Sequence, residues 1–301
     1  MKDVIKTVLA LLFYGGLAPL LGTWLARQRI GQRVTFAVML VMTGMRPGNF
    51  MMMIGSVETY RGHTKGYEIS LIEVLALALI VAAKRTPGSR ITGRIPGLGW
   101  YLLWCAASVI SLFGSQEPAF SLMAACRFFK GALIFWAAAV YLRDEADLRW
   151  AVGALAVAVF HQGLLCLKMR LLDGSWQVKG WFEHQNPMAM WCYMSALPVL
   201  AAALWREVRG PLLYLCLAGY GGAGLCILLS VSRAGLAAYA AGSVALLVLA
   251  WSRGPNARVI GLSVLGALGT VVVSLFALDS FHARLSEVAA SSEVVEEDLR
   301  D

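Results

Sequence analysis

The sequence predicts an all-α, polytopic transmembrane helix bundle, and three observations carry that prediction. The 301 residues are 59% hydrophobic and only 15% charged, with a mean hydropathy of +0.68, whereas a soluble domain carries about a quarter charged residues. The apolar residues fall in repeated blocks long enough to cross a bilayer. Lys and Arg concentrate in the short connections between alternate blocks, the pattern that sets membrane orientation.

The blocks give about ten spans, beginning near Val4, Val34, Ile69, Gly97, Phe120, Leu148, Asn186, Pro211, Ala234 and Val259. The first runs to about Leu25. It is too long for a signal-peptide core and lacks a small-residue cleavage site, so it reads as a retained span. The third is short. The connections around Arg27 to Arg33, Lys84 to Arg94, Arg143 to Arg149, Arg206 to Arg209 and Arg253 to Arg258 hold most of the loop Lys and Arg, which the positive-inside rule assigns to the cytoplasm. The N-terminus, the loops near Arg61, Glu117 and His184, the turn at Arg233 and the tail from Asp279 then face outward. The chain divides into a membrane bundle over 1–278 and a polar segment over 279–301, whose acidic end reads as the start of a periplasmic loop. No internal repeat is visible.

The net charge of +8 does not gather into a soluble patch, so it implies contact with membrane lipids and not with nucleic acid. All six cysteines lie in or beside apolar spans without a CxxC pair, which reads as small buried side chains. The chain has no Gly-rich phosphate loop, HExxH, paired-cysteine zinc site or nucleophile elbow. Gly219, Gly221, Gly222 and Gly224 are expected to permit close helix packing.

Several polar residues stand where apolar ones are expected. Arg233 lies in Ser230-Val231-Ser232-Arg233-Ala234-Gly235, between two apolar stretches, where a guanidinium is costly without a partner or an anionic ligand. A second polar island, Gly180-Trp181-Phe182-Glu183-His184-Gln185-Asn186-Pro187, opens directly into an apolar helix. Asn186 suits the cap of that helix, with Pro187 at the favoured first position. His161, inside a span and followed by Gln162, suits an interhelical hydrogen bond. Arg46 precedes Pro47, which breaks or kinks the second span. Arg127 and Lys130 lie one turn apart on one face, and Lys168, Arg170 and Lys179 flank the loop before His184. Snorkelling to the interface explains any one of these cations. Their convergence on one leaflet points to an anionic ligand such as a lipid-linked diphosphate, whose oxygens Arg binds in bidentate fashion.

Taken together, these motifs resemble the O-antigen ligase and O-antigen polymerase superfamily of bacterial envelope proteins. The resemblance is carried by Gly66-Tyr67-Glu68-Ile69-Ser70-Leu71, by Leu142-Arg143 with Asp147-Leu148-Arg149, by the island from Gly180 to Pro187 and by Ser232-Arg233-Ala234-Gly235. It implies a metal-independent, cofactor-free glycosyltransferase in the inner membrane. Such an enzyme transfers a glycan from undecaprenyl diphosphate, on the periplasmic face, to lipid A-core or another acceptor. In polymerases the acceptor is the polysaccharide itself. It implies that Arg233 contacts the donor diphosphate and that His184 and Asn186 line the same cavity, with Arg46, Arg127 and Lys130 as further binding candidates. Family members continue into a large periplasmic loop with a second essential arginine and a histidine base. Arg300 lies at about the right distance to be that arginine, whereas His282 comes too early to be the histidine. The expectation is a C-terminally truncated chain holding the donor-binding half. A transporter of a similar anionic lipid is the alternative of a different kind, disfavoured by the lack of repeats.

Overall fold

The computed structural model describes residues 2–45, 51–54, 66–86, 95, 97–206, 208–266 and 268. Its helices are α1 (Lys2–Leu11), α2 (Ala18–Leu25), α3 (Arg29–Thr43), α4 (Leu71–Arg85), α5 (Leu98–Ile110), α6 (Pro118–Tyr141), α7 (Glu145–Leu171), α8 (Gln185–Leu204), α9 (Gly210–Ser230) and α10 (Arg233–Ser252). A π-helical turn, Leu12–Leu17, joins α1 to α2. Among the described residues, six helices are long and apolar enough to cross a membrane: Val4–Leu25 and α6 to α10.

A helix lies at or near every apolar start read from the sequence, yet three of them are short. α3 and α4 have 15 residues each, and Leu98–Gly114 is also below spanning length; of the last helix, Ala257–Gly266 is the described part. At 1.5 Å per residue such helices reach about 22 Å, less than the roughly 30 Å of hydrocarbon. The shortening of α4 has a visible cause. Tyr67–Ser70 is a strand (β2) that pairs antiparallel with Met51–Ile54 (β1), Met51 opposite Ser70. The fold is all-α as expected, and this one small strand pair is the sheet among the described residues. Ser70 then starts α4 through a capping box: its hydroxyl meets the first turn and the Glu73 carboxylate reaches back to it.

Small side chains make up much of the interior, beside large ones such as Phe36, Tyr141 and Leu200, and many large apolar side chains are exposed, unlike a water-soluble bundle. Ala76, Ala137, Ala156, Ala196, Cys192 and Ala223 are fully buried, while Trp100, Phe113 and Leu20 are exposed. Between membrane helices, close backbone approach replaces bulk as the source of packing energy. α7 and α9 show it best. A Cβ at Gly163 would lie 2.8 Å from the Cα of Gly222, and one at Gly219 would lie 2.7 Å from the carbonyl oxygen of Ala156. Gly221, by contrast, faces open space.

Charges gather at one end of the bundle. Asp144 caps α7, with Asp147 completing the capping box. Asp147 is completely buried and accepts from Arg29, from Arg33 Nε at 3.0 Å and from the backbone N–H of Arg143 at 3.1 Å. The start of α3 is thereby fastened to the start of α7. Arg29 also donates to the carbonyl of Tyr141 at 3.2 Å, and Tyr141 stacks on Phe36 with ring centroids 4.1 Å apart. Nearby, Arg85 donates to Thr23. Arg206 donates to the Gly254 carbonyl at 3.1 Å, and Arg149 borders the same cavity as Arg206 and Arg253. Described parts of all five arginine-bearing connections therefore share one end.

Candidate functional site

At the opposite end, α8 and α10 begin side by side. His184 is the N-cap of α8: its backbone is extended (φ −140°, ψ 153°) and its Nδ1 accepts the N–H of Asn186 at 3.2 Å. This corrects the expectation that Asn186 caps the helix with Pro187 in first position, since both already lie inside the first turn. The imidazole takes the orphan N–H, which leaves the Asn186 side chain to act elsewhere. Its Oδ1 accepts a hydrogen bond from Ser232 Oγ at 3.3 Å.

Ser232 in turn caps α10, accepting from the N–H of Gly235 at 3.3 Å. Ser230 supports the same turn: its hydroxyl donates to the Ile227 carbonyl at 2.7 Å and accepts the N–H of Ser232 at 3.2 Å. Val231 between them has φ +57°, the one non-glycine residue in the left-handed region among the described residues. A β-branched residue there is a costly outlier, of the kind that persists where the surroundings over-determine it. Gly235 then lets α10 lie directly against α8, since a Cβ there would stand 2.7 Å from that of Ala189.

Arg233 is the first residue of α10, exposed, and its side chain has no hydrogen-bond or ion-pair partner among the described residues. A cation in a first helical turn opposes the helix dipole. Two helix N-termini converge here: the N–H of Gln185 at the start of α8 and those of Arg233 and Ala234 at the start of α10 are not taken by the caps and can meet an anion. In the tautomer whose Nδ1 accepts the Asn186 N–H, the ring proton is on Nε2, which is then a donor on an exposed residue. Arg233, His184 Nε2 and the first-turn N–H groups make an acceptor-hungry surface.

Arg127 and Lys130 belong to a different cluster. They lie near the middle of α6, about 21 Å (Arg127) and about 16 Å (Lys130) from its Tyr141 end at the helical rise. Arg127 pairs with the Glu68 carboxylate, and Lys130 reaches the Glu68 carbonyl and the Glu73 carboxylate, the last at 3.1 Å. Tyr14 donates to the other oxygen of Glu73, and the Lys130 ammonium stands 5.4 Å from the Tyr67 ring centroid. Two carboxylates thus sit against two cations, and the cluster fastens β2 and α4 to α6. α6 packs on α4 and α5, while α10 packs on α8 and α9. The structure brings His184, Asn186 and Arg233 to one turn and gives Arg127 and Lys130 another setting. Arg46 and Arg300 lie outside the described residues.

The loop before α8 packs on the ends of α7 and α9 that lie on the Arg233 side, Val178 N–H donating to the Leu229 carbonyl at 3.4 Å and Gly180 lying against Gln162. Arg170 donates to the carbonyls of Ser175 and Trp176, and Val178 is fully buried. His161 makes no interhelical hydrogen bond among the described residues. Its ring lies parallel to Trp181, with centroids 6.4 Å apart. Its neighbour, the fully buried Gln162, makes the bond instead, donating to the Gly44 carbonyl at 2.9 Å. Gln162 also lies under Gly180 (φ +54°), where a Cβ would stand 2.6 Å from Oε1. Ser232, Gln162 and the counter-ions Glu68 and Glu73 are not marked as site residues by the sequence. Each had some signal: Ser232 and Glu68 stand in the motifs Ser232-Arg233-Ala234-Gly235 and Gly66-Tyr67-Glu68-Ile69-Ser70-Leu71, Gln162 follows His161, and Glu73 is the fourth residue of Ser70-Leu71-Ile72-Glu73.

Comparison with models of known families, with characterised proteins and with solved structures finds no match.

Proposed function

We propose that the protein is a glycosyltransferase of the O-antigen ligase type, set in a bacterial inner membrane with about ten membrane-embedded helices and its Arg233 end toward the periplasm. The observation that supports the reading most is Arg233: a cation without a partner among the described residues, at a helix start that disfavours it, reached through a left-handed valine. Two unfavourable features in one turn are expected at a functional site.

In the proposed reaction an acceptor hydroxyl attacks the anomeric carbon of a glycan held on undecaprenyl diphosphate, and its proton passes to a phosphate oxygen of the departing diphosphate or to water. The bond from that carbon to the diphosphate oxygen breaks, and the diphosphate leaves with the bonding electron pair. Arg233 meets the growing negative charge, the Nε2–H of His184 donates to a phosphate oxygen, and Asn186 and Ser232 keep the two helix starts in register. Lipid A-core is the acceptor in the ligase reading. Extension of the polysaccharide itself would use the same donor contacts.

His184 separates the cap from the ligand contact. Asparagine caps a helix as well as any residue, so His184→Asn should keep stability and lose transfer, by about ten-fold or more for a lost hydrogen bond to a charged group. His184→Ala should lose transfer and also about 1 kcal/mol of stability. The readouts are surface glycan in cells that depend on the protein, and thermal unfolding in detergent. Full transfer by His184→Asn would reduce His184 to a cap.

A further inference from the structure

We propose a second site, at the arginine-rich end of the bundle, that takes an anionic phospholipid from the adjoining leaflet. It is independent of the transferase reading. A cavity of about 650 Å³ opens there between α7, α8, α9, α10 and the helix Ala257–Gly266, a volume within the usual range of small-molecule pockets. Its walls are apolar, including Val152, Leu212 and Leu246, and Arg149, Arg206 and Arg253 also line it.

The rim is rigid. Arg258 Nη1 donates to the carbonyls of Ala203, Trp205 and Val208 at 3.2, 2.9 and 2.8 Å, which holds the end of α8. Arg206 gives Nη2 to the Gly254 carbonyl at 3.1 Å, made possible by the positive φ of Gly254 (+101°), and keeps the rest of its fork. The guanidinium of Arg253 has no hydrogen-bond or ion-pair partner among the described residues. Arg149 is held by Glu145 at 2.5 Å. Asp144 and Asp147 are engaged by Arg33 and Arg29, and Glu207 lies outside the described residues. Among the described residues the rim therefore keeps uncompensated positive charge over an apolar hole.

That combination selects the occupant. A soluble anion would satisfy the arginines and leave the cavity unfilled. A zwitterionic lipid would fill the cavity but bring its own ammonium toward the guanidiniums. A phospholipid with a net negative head group does both, with an acyl chain between the helix ends and the phosphodiester in the arginine fork.

The test uses the purified protein in neutral detergent, with bound lipid counted by native mass spectrometry after addition of phosphatidylglycerol, phosphatidylcholine or glycerol phosphate. Phosphatidylglycerol should bind in preference to the other two. Arg206→Ala with Arg253→Ala should weaken it roughly twenty-five-fold, about five-fold for each cation removed near a membrane surface. Leu246→Trp, which leaves the arginines and fills the cavity, should also reduce binding, and it tests the site independently if the double variant fails to fold. Equal binding of phosphatidylcholine, undiminished binding by the folded double variant, or competition by glycerol phosphate as strong as by the lipid would overturn the proposal.

Discussion

Arg233→Ala is expected to lower glycan transfer by about a hundred-fold or more, the usual loss when one charge-stabilising donor is removed from a reacting centre. The protein should still insert and fold. The side chain makes no hydrogen bond or ion pair among the described residues, and its removal relieves the opposition between a cation and the first turn of α10. Arg233→Lys should also transfer poorly, because an ammonium does not reproduce the bidentate fork. Surface glycan in a dependent strain, measured beside the amount of protein in the membrane, separates loss of chemistry from loss of protein. Near-normal transfer by the alanine variant would make Arg233 an interfacial anchor.

Asp147→Ala is expected to have the largest effect on stability, about 3 kcal/mol or more, the usual cost of breaking a buried ion pair by removing one partner. Asp147 has no exposed surface, while the side chains of Arg29 and Arg33 are 30% and 22% exposed. Removing the carboxylate leaves two half-buried guanidiniums against each other and takes away the second half of the α7 capping box. Asp144→Ala is the control: its carboxylate is 52% exposed, so it should cost only about 1 kcal/mol as a lost cap. Thermal unfolding in detergent compares the two. Equal, small losses would mean that the α3–α7 junction rests on apolar packing.

The helices were legible because each apolar block is bounded by charges or by Gly and Pro. Their lengths were not, because an apolar run does not reveal whether its first residues continue as helix. Tyr67–Ser70 pairs with Met51–Ile54 instead, a choice set by a partner strand distant in sequence. The motif Ser232-Arg233-Ala234-Gly235 was readable as a helix boundary, and its geometry follows from local rules: a serine cap, a cation beyond it, a glycine where α8 approaches. The setting of Arg127 and Lys130 was only half legible. One turn of spacing put them on one face, but their counter-ions Glu68 and Glu73 come from β2 and α4. Convergence of cations in a sequence therefore overestimates the charge open to a ligand. Likewise Asn186 has good cap chemistry, and the extended backbone at His184 gives the cap to the imidazole instead.

The central claim is that the turn joining α9 to α10 binds a lipid diphosphate through Arg233. The most direct measurement is thermal stabilisation of the purified protein by undecaprenyl diphosphate, with undecaprenyl monophosphate as the comparison. The account predicts a rise in unfolding temperature that is larger for the diphosphate and absent in Arg233→Ala, with the Asp147 junction left unaltered in both proteins. An equal rise in the wild type and in Arg233→Ala, or no discrimination between diphosphate and monophosphate, would contradict it.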